Sequence, residues 1–340
     1  MSKRAIYSVV VAGQDITSVL TPILISLSVT DKSGEASDRA SIEIDDTDGA
    51  VVMPEPGAIV AISLGWEDTG AGLVFVGTVD EVRASGSRSG RTLSISAKGM
   101  DTRGKAKQAQ RQHFDNSTVE KALQAAGQFA GVDVSVDPDF ASIQREYLAL
   151  DDESFVAFGE RMAAEVGGTF KIDGATAVLA KRNGGTNPGG ETLPTVMVAW
   201  GDNLHQYSIS PILGRPVEQQ TRVRWYDRKS AKWKEELADT GTAGGKTRKT
   251  SIFPDPDQPV AQTRSKSHAA ERDRKAGDGS VTIEGNIDAQ PEGLCILSNC
   301  RPGVDGTYRI ESVEHRYSRD GFITALDLRQ PKGTAGKDSR

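Results

Sequence analysis

The sequence predicts an α+β protein that is mainly β, because three patterns recur along its 340 residues. Short segments alternate apolar with polar residues, which is the period of a half-buried strand. Glycine is abundant, at 36 residues, and suits the tight turns that join such strands. Two segments near the middle instead space their apolar residues at the helical period. We therefore expect two strand-rich units with a smaller helix-containing unit between them.

Residues 1–100 contain the first run of predicted strands. Ala40, Ile42 and Ile44 alternate with polar neighbours, as on a strand with one buried face. Closely spaced strands with Gly-rich connections are typical of a small barrel or sandwich. The predicted strands are Ile6–Val11, 23–29, 40–45, Ile59–Leu64, Val74–Val82 and Thr92–Ala97.

Residues 101–190 predict a compact α+β unit. Helical periodicity covers 117–130 and 151–166, and each segment has Ser or Thr near its start and Gly after its end. Two short strands joined across 173–174 then form a predicted hairpin. The Gly- and Asn-rich stretch 183–190 is predicted to be a linker or a long loop.

Residues 191–330 predict a second strand-rich unit that contains an insertion. The insertion, about 227–258, is polar and rich in Gly, Lys, Thr and Pro, and we expect it to be exposed. A highly charged helix is predicted at about 262–276, and 331–340 is predicted to be a flexible tail. The strands of this unit are predicted at 196–200, 207–211, 217–226, 281–285, 293–297, 307–317 and 322–328.

The charge and cysteine content exclude several classes of function. With 41 basic and 47 acidic residues the net charge is −6, which does not favour nucleic-acid binding. No segment is long and apolar enough to cross a membrane, and the start of the chain lacks a secretion signal. Cys295 and Cys300 have no nearby His, so a zinc site is not predicted. The spacing leaves open whether these two thiols are reduced or form disulfides.

Two segments approximate known binding loops but lack the context that such loops need. Residues 240–247 resemble a phosphate-binding loop, yet Thr240 stands where that loop begins with Gly, and no strand–loop–helix pattern surrounds it. Residues 45–49 resemble half of a calcium loop, yet Ile44 occupies the first ligand position. We therefore predict no catalytic, cofactor-binding or metal-binding residues, and no enzymatic activity.

Seven segments, taken in order, carry a resemblance to a known family. They are AIYSVVVAGQDIT, DRASIEIDD, PEPGAIVAISLGW, LVFVGTVDEV, TLSISAKGMD, YLALDDESFVAFGERMAAEVGGTFKI and GTYRIESVEHRYSRDGFITALDL. The most specific one carries Glu153-Ser154 before a helix with Arg161-Met162-Ala163 and a Gly turn. In this order the segments resemble the phage late control D proteins, the tail hubs of contractile phages, although Leu150 and Asp151 replace a Gln that is frequent there. These proteins are similar to the N-terminal hub part of valine-glycine repeat protein G in type VI secretion.

This resemblance implies a homotrimeric structural protein of the virion tail baseplate, assembled in the bacterial host cytoplasm. Each chain would carry two tube-like β-barrels, at about 1–100 and 191–330, with the α+β unit between them. Three chains would then form a ring that adapts the six-fold tail tube to a three-fold central spike. Its implied partners are the tail tube protein, a separate spike protein, and baseplate wedge and tape-measure proteins. Genomic DNA would pass only as transient cargo, and no stable membrane insertion is expected.

Two alternative functions stay open. The first alternative is a hub-like distal tail protein of a non-contractile tail or a gene-transfer particle. The second, ranked last, is a tail-associated cell-wall hydrolase.

We expect assembly contacts at the first strand, the closing strand and the charged helix. The candidate residues are Ile6, Tyr7, Val9, Val11, Arg264, Arg272, Arg274, Phe322, Thr324 and Leu326.

Overall fold

The chain folds into a mainly β structure with five α-helices among the residues that the structure describes. The predicted α+β, mainly β class is thereby confirmed. No helix in this part of the chain is long and apolar enough to span a membrane. The computed structural model describes residues 3–88, 90–101, 104–182, 185, 192–211, 218–240, 247–252, 254–275, 277–338 and 340.

The first unit is a curved antiparallel sheet around one core. Its strands follow the order β3-β4-β7-β6-β5-β1, with the short β2 beside the end of β1. Val9, Leu27 and Ile62 belong to one buried cluster, so the inward faces of distant strands meet. The elements are β1 (Ala5–Val11), β2 (Gln14–Asp15), α1 (Thr17–Leu20), β3 (Leu24–Lys32), β4 (Arg39–Asp45), β5 (Ile59–Trp66), β6 (Gly70–Ser87) and β7 (Gly90–Lys98).

The middle unit packs two capped helices on small sheets. Thr118 Oγ1 accepts from Lys121 N–H at 3.2 Å and Ser154 Oγ accepts from Ala157 N–H at 3.2 Å, so a hydroxyl begins each helix. The antiparallel pair β8–β10 was not predicted from sequence. The elements are a 3₁₀ turn (Lys105–Lys107), β8 (Ala109–Thr118), α2 (Val119–Ala130), β9 (Asp133–Val136), α3 (Pro138–Ala141), β10 (Gln144–Ser154), α4 (Phe155–Val166), β11 (Gly168–Asp173) and β12 (Thr176–Lys181).

The second unit is another curved sheet, with the order β14-β18-β21-β20-β19-β13. An isolated bridge pairs Trp200, which follows β13, with Leu204, the first residue of β14. The elements from residue 195 onward are β13 (Thr195–Ala199), β14 (Leu204–Ser210), β15 (Glu218–Asp227), β16 (Lys232–Asp239), β17 (Thr247–Thr250), α5 (Gln258–Arg274), β18 (Asp278–Glu284), β19 (Leu294–Ser298), β20 (Gly306–Ser318) and β21 (Gly321–Lys332).

The described part of the insertion between β14 and β18 forms a small unit with a sheet of its own. Its strands form a separate sheet, β16-β15-β17, and α5 packs against it. The helix begins at Gln258, earlier than the sequence predicted, because Asp257 Oδ1 accepts from Val260 N–H at 2.9 Å and Pro259 is tolerated in a first turn. Ala276, the predicted end, lies outside the described residues, as do 241–246 of the phosphate-loop-like segment and 183–190 apart from Gly185.

The end of the chain folds back on the second unit. Ala335 is buried in its core, and Gly336 N–H donates to the carbonyl of Gly303 at 2.8 Å. The Arg301 guanidinium reaches the Asp338 carboxylate at 3.3 Å. These contacts place most of the segment predicted as a tail against the sheet.

The two strand-rich units share one strand order. Within each unit, when six strands are numbered along the chain, the order across the sheet is second, third, sixth, fifth, fourth, first. All neighbours are antiparallel except β13 and β19, which are parallel. A ladder between β20 and β3 joins the units into one thirteen-stranded sheet. No pairing among the described residues closes this sheet, so closure into tube-like barrels remains a prediction.

Candidate assembly surfaces

The first strand is anchored inside the chain on most of its length. β1 pairs with β5 from Ala5 to Val11. Val9 is fully buried, and its N–H donates to Thr17 Oγ1 at 2.9 Å. The Tyr7 ring lies 4.6 Å from the Tyr317 ring, so β1 also contacts the end of β20. Side-chain contact with another chain at Val9 is thus ruled out in this conformation.

Three residues on β1 remain available for the predicted contacts. Ile6, Tyr7 and Val11 are each half-buried rather than enclosed. Among the described residues, the edge of β1 opposite β5 has ladder partners at Val10 and Val11, where it meets β2, and the backbone of Val9 is bonded there to Thr17 and Ile16. This edge therefore keeps backbone groups that an added strand could pair with, and its role in assembly stays a prediction.

The predicted contacts on the closing strand are corrected by the structure. Phe322, Thr324 and Leu326 are almost fully buried, with at most 2% of their surface exposed. Phe322 packs in the first core and Leu326 in the second. Because side chains alternate across a strand, the sequence pattern identified the inward set of β21. The outward set contains Ile323, Ala325 and Asp327, of which Asp327 is exposed.

Thr324 lies beside a buried histidine between the two cores. Its hydroxyl accepts from Asn286 N–H at 2.9 Å and lies 3.0 Å from His315 Nδ1. His315 is 6% exposed, and burial lowers its pKa from 6.5 to about 4. The ring is therefore neutral at ordinary pH, and Thr324 serves the interior rather than an interface.

The three candidate arginines of α5 all bind carboxylates of their own chain. Arg264 reaches Asp255 at 2.5 Å and Arg272 reaches Glu218 at 2.9 Å. Both guanidiniums are partly exposed, so they stay candidates for outside contacts. Arg274 is only 3% exposed, and the prediction that it forms an assembly surface is wrong.

Arg274 is the centre of a buried charge network. Its guanidinium donates to Glu292 at 2.8 Å and to Glu311 at 2.6 Å, and Arg309 Nη1 lies 3.9 Å from Glu292. The Ser33 hydroxyl donates to the same Glu292 carboxylate. The network therefore ties α5, the second unit and the turn after β3 together at one point.

A second charge cluster joins the first unit to the middle unit. The Lys171 ammonium on β11 pairs with Asp31 and, at 2.7 Å, with Asp38. Burial raises the pKa of Asp31 to about 6, against the opposing effect of the Lys171 charge. Ile172 N–H also donates to the carbonyl of Ala36 at 2.7 Å. The three units are thus linked through polar contacts as well as through the sheet.

Sequence reasoning missed the exposed aromatic side chains of the insertion. Trp233 and Tyr226 are 60% and 40% exposed, and they lie opposite each other on β16 and β15. Tyr226 ends the predicted strand 217–226, whereas Trp233 falls in 227–258, which is predicted to be an exposed polar insertion because it is rich in Gly, Lys, Thr and Pro. The alternation in TRVRWYD and KWKEELAD was the signal that could have revealed a hairpin.

The described residues show no arrangement that suggests catalysis. They contain no group of three or more His, Cys, Asp or Glu side chains that could hold a metal ion. Cys295 and Cys300 are free thiols, and burial raises the pKa of Cys295 to about 12. A thiol with so high a pKa is a poor nucleophile.

The fold is similar to those of solved tail and secretion proteins. The structure superimposes on the 43 kDa tail protein of prophage MuSo2 from Shewanella oneidensis with a TM-score of 0.70, at 16% identity, covering 96% of this chain and 98% of that one. It also matches a component of the type VI secretion system of E. coli with a TM-score of 0.55, at 13% identity, over 94% of this chain and 77% of that one.

Comparison of sequences finds relatives among phage baseplate hub proteins. The chain is 25% identical to the probable baseplate hub protein of Escherichia phage 186, over 93% of this chain and 90% of that protein. It is 28% identical to the probable baseplate hub protein of Escherichia phage P2, over 60% of this chain and 52% of that protein. No family model matches the chain. The predicted resemblance to phage hub proteins is confirmed, and these relatives support a baseplate hub role.

Proposed function

We propose that this chain is the structural baseplate hub of a phage tail, and that three copies form a ring around a central channel. The observation that carries the proposal is the repeated strand order of the two strand-rich units. A trimer of such chains presents six similar units, so it can contact a six-fold tube on one side and a three-fold spike on the other. The ladder between β3 and β20 fixes the relation of the two units within each copy.

The proposed partners follow from this position. The tail tube protein would contact the ring above it, and a separate spike protein would lie below it. Baseplate wedge and tape-measure proteins would contact its outside and its channel, and genomic DNA would pass through as transient cargo. Localisation in the virion tail baseplate follows from the same proposal and from the names of the relatives.

The assembly state tests the proposal directly. The purified chain is expected to have the mass of three 36.3 kDa subunits in native mass spectrometry. An electron microscopy view down the ring axis is expected to show six similar lobes, because each chain supplies two units. A stable monomer or dimer inside isolated tails, or a ring with three lobes, would contradict the proposal.

Two other functions make different predictions. A hub-like protein of a non-contractile tail or a gene-transfer particle would have the same fold, but its gene would have no neighbouring sheath gene. A tail-associated hydrolase would degrade purified cell wall, and one carboxylate substitution would abolish that turnover. We propose a non-enzymatic role, which is supported by the names of the two relatives, both probable baseplate hub proteins. We expect no cell-wall turnover above a buffer control.

A further inference from the structure

The insertion presents a hairpin, β15–β16, whose inner face packs on α5 through β15. Val223 and Trp225 pack with Ala261 of α5 in a small buried cluster. The Thr221 hydroxyl donates to the carbonyl of Ser265 at 2.7 Å. Because α5 is itself anchored through Arg274, the orientation of the hairpin is fixed relative to the second unit.

The outer face of the same hairpin carries an uncovered aromatic pair. Tyr226 and Trp233 are cross-strand partners with ring centroids 5.2 Å apart. Their exposed fractions, 40% and 60%, are large for side chains of this size on a folded strand. Leu237, 49% exposed, lies on the same face of β16, separated from Trp233 by the ion-paired Glu235. This face therefore leaves apolar area in water that a partner could bury.

The turn next to the aromatic pair holds uncompensated positive charge. Asp227, its one acidic residue, accepts from Lys229 N–H at 2.9 Å and from the Ser230 hydroxyl at 2.7 Å, and it pairs with Lys234 at 2.6 Å. These donors hold the pKa of Asp227 well below its usual range. The cations Arg228, Lys229 and Lys232 are exposed and make no ion pair within the described part of the chain.

Segment 226–234 therefore differs in charge from the rest of the protein. It has four basic residues and one acidic residue, a net charge of +3, in a chain whose net charge is −6. We define the hairpin patch as Tyr226, Trp233, Arg228, Lys229 and Lys232. Trp, Tyr and Arg are the residue types that dominate the binding energy of protein interfaces. Complementary charge would add specificity and speed of association.

We propose that the hairpin patch binds an acidic surface of a different baseplate protein, with Trp233 buried in an apolar pocket of that partner. This inference rests on the proposed function, because it assumes that the chain is built into a baseplate. It assigns to the insertion a role that is separate from ring formation. The two strand-rich units build the ring, and the hairpin patch attaches a neighbour to it.

Other anionic partners fit the surface less well. Glu235 lies on the same outer face as the aromatic pair, where it binds Arg222 and Arg224 at 3.3 Å each. A protein surface can place acidic groups beside the hairpin cations and a hydrogen-bond donor beside Glu235, whereas a phosphate backbone or an anionic bilayer presents negative charge throughout. The T-shaped contact of Tyr226 with Trp233 also reduces the flat ring area that stacking of nucleic-acid bases requires.

Site-specific crosslinking in isolated tails tests the proposal. Benzoylphenylalanine is placed at position 233 of the full chain, assembled tails are irradiated, and crosslinked peptides are identified by mass spectrometry. We expect a crosslink to a segment rich in Asp and Glu in a baseplate protein other than this chain. A crosslink to a second copy of this chain, to nucleic acid or to lipid, or no crosslink at all, would overturn the proposal.

Charge reversal provides a second test of the proposal. The triple change Arg228→Glu, Lys229→Glu and Lys232→Glu is expected to lower the yield of complete baseplates about tenfold, which equals about 1.4 kcal/mol of binding free energy. The control reverses three exposed lysines of the middle unit, Lys105, Lys107 and Lys121, and should leave the yield unchanged. Equal losses in both variants would refute the inference.

The crosslinking and charge-reversal experiments distinguish a failure of this inference from a failure of the proposed function. Both triple variants should retain the trimeric mass of the unmodified protein. If the chain is absent from isolated tails, the proposed function itself fails. If the chain is present as a trimer but position 233 crosslinks to nothing, only the inference about the hairpin patch fails.

Discussion

Replacing Arg274 by Ala is expected to lower the free energy of unfolding by about 3–5 kcal/mol, since a buried ion pair that loses one partner leaves charge without compensation. Arg274 is nearly inaccessible to water and donates to both Glu292 and Glu311. The side chains of Glu292 and Glu311 are 13% and 25% exposed, so solvent can replace the lost donors only in part. Urea unfolding, followed by circular dichroism at neutral pH, measures the loss as a shift of the midpoint.

Arg272→Ala is the matched control for this substitution. Arg272 lies two residues away on the same helix, so its replacement by Ala removes the same charge. The ion pair of Arg272 with Glu218, however, is partly exposed. Partly exposed pairs contribute about 0–1 kcal/mol, so a small midpoint shift is expected. Arg274→Lys should be intermediate, because one ammonium cannot reproduce the planar two-carboxylate geometry. Equal losses for Arg272→Ala and Arg274→Ala would show that burial of the network is not what matters.

The second large effect is a dependence of stability on pH that comes from His315. Burial lowers the pKa of its ring to about 4 in the folded protein, whereas an unfolded histidine titrates near 6.5. Between these values the unfolded state binds more protons. The free energy of unfolding therefore falls as pH is lowered from about 6.5 to about 4, by roughly 3 kcal/mol in total. Above pH 6.5 His315 contributes no pH dependence.

His315→Asn should remove this contribution and keep a side-chain oxygen that can accept from Thr324. The quantity to measure is the difference in unfolding free energy between this variant and the unmodified protein at pH values from 7 to 4. That difference cancels the opposite contribution of Asp31, whose raised pKa favours the folded state as pH falls below about 6. His205→Asn, at an exposed position, is the control. A constant difference across the range would contradict the assignment to His315.

Alternation and helix capping made the fold class predictable from sequence. The period-two pattern of Ala40, Ile42 and Ile44 corresponds to buried positions of β4. The helices of the middle unit begin at hydroxyl caps and end at Gly131 and Gly167, whose positive φ angles suit glycine. These signals are local in sequence, so a single chain reveals them.

Contacts between distant segments were not predictable in the same way. β8 and β10 are polar strands that pair across α2 and two further short elements, and neither has an alternation strong enough to stand out. The choice of Phe322, Thr324 and Leu326 as contact residues failed because period two identifies two faces but not which face is covered. The choice of Arg274 as a contact residue failed for a related reason, since its burial depends on Glu292 and Glu311 from other parts of the chain.

The join between β20 and β3 has a mechanical consequence. Seven residue pairs, from Ser312 with Lys32 to Ser318 with Ser26, run side by side across it. Force along these strands would load the hydrogen bonds of the ladder together. We therefore expect the two strand-rich units of one chain to move as a single body when a particle built from this chain rearranges.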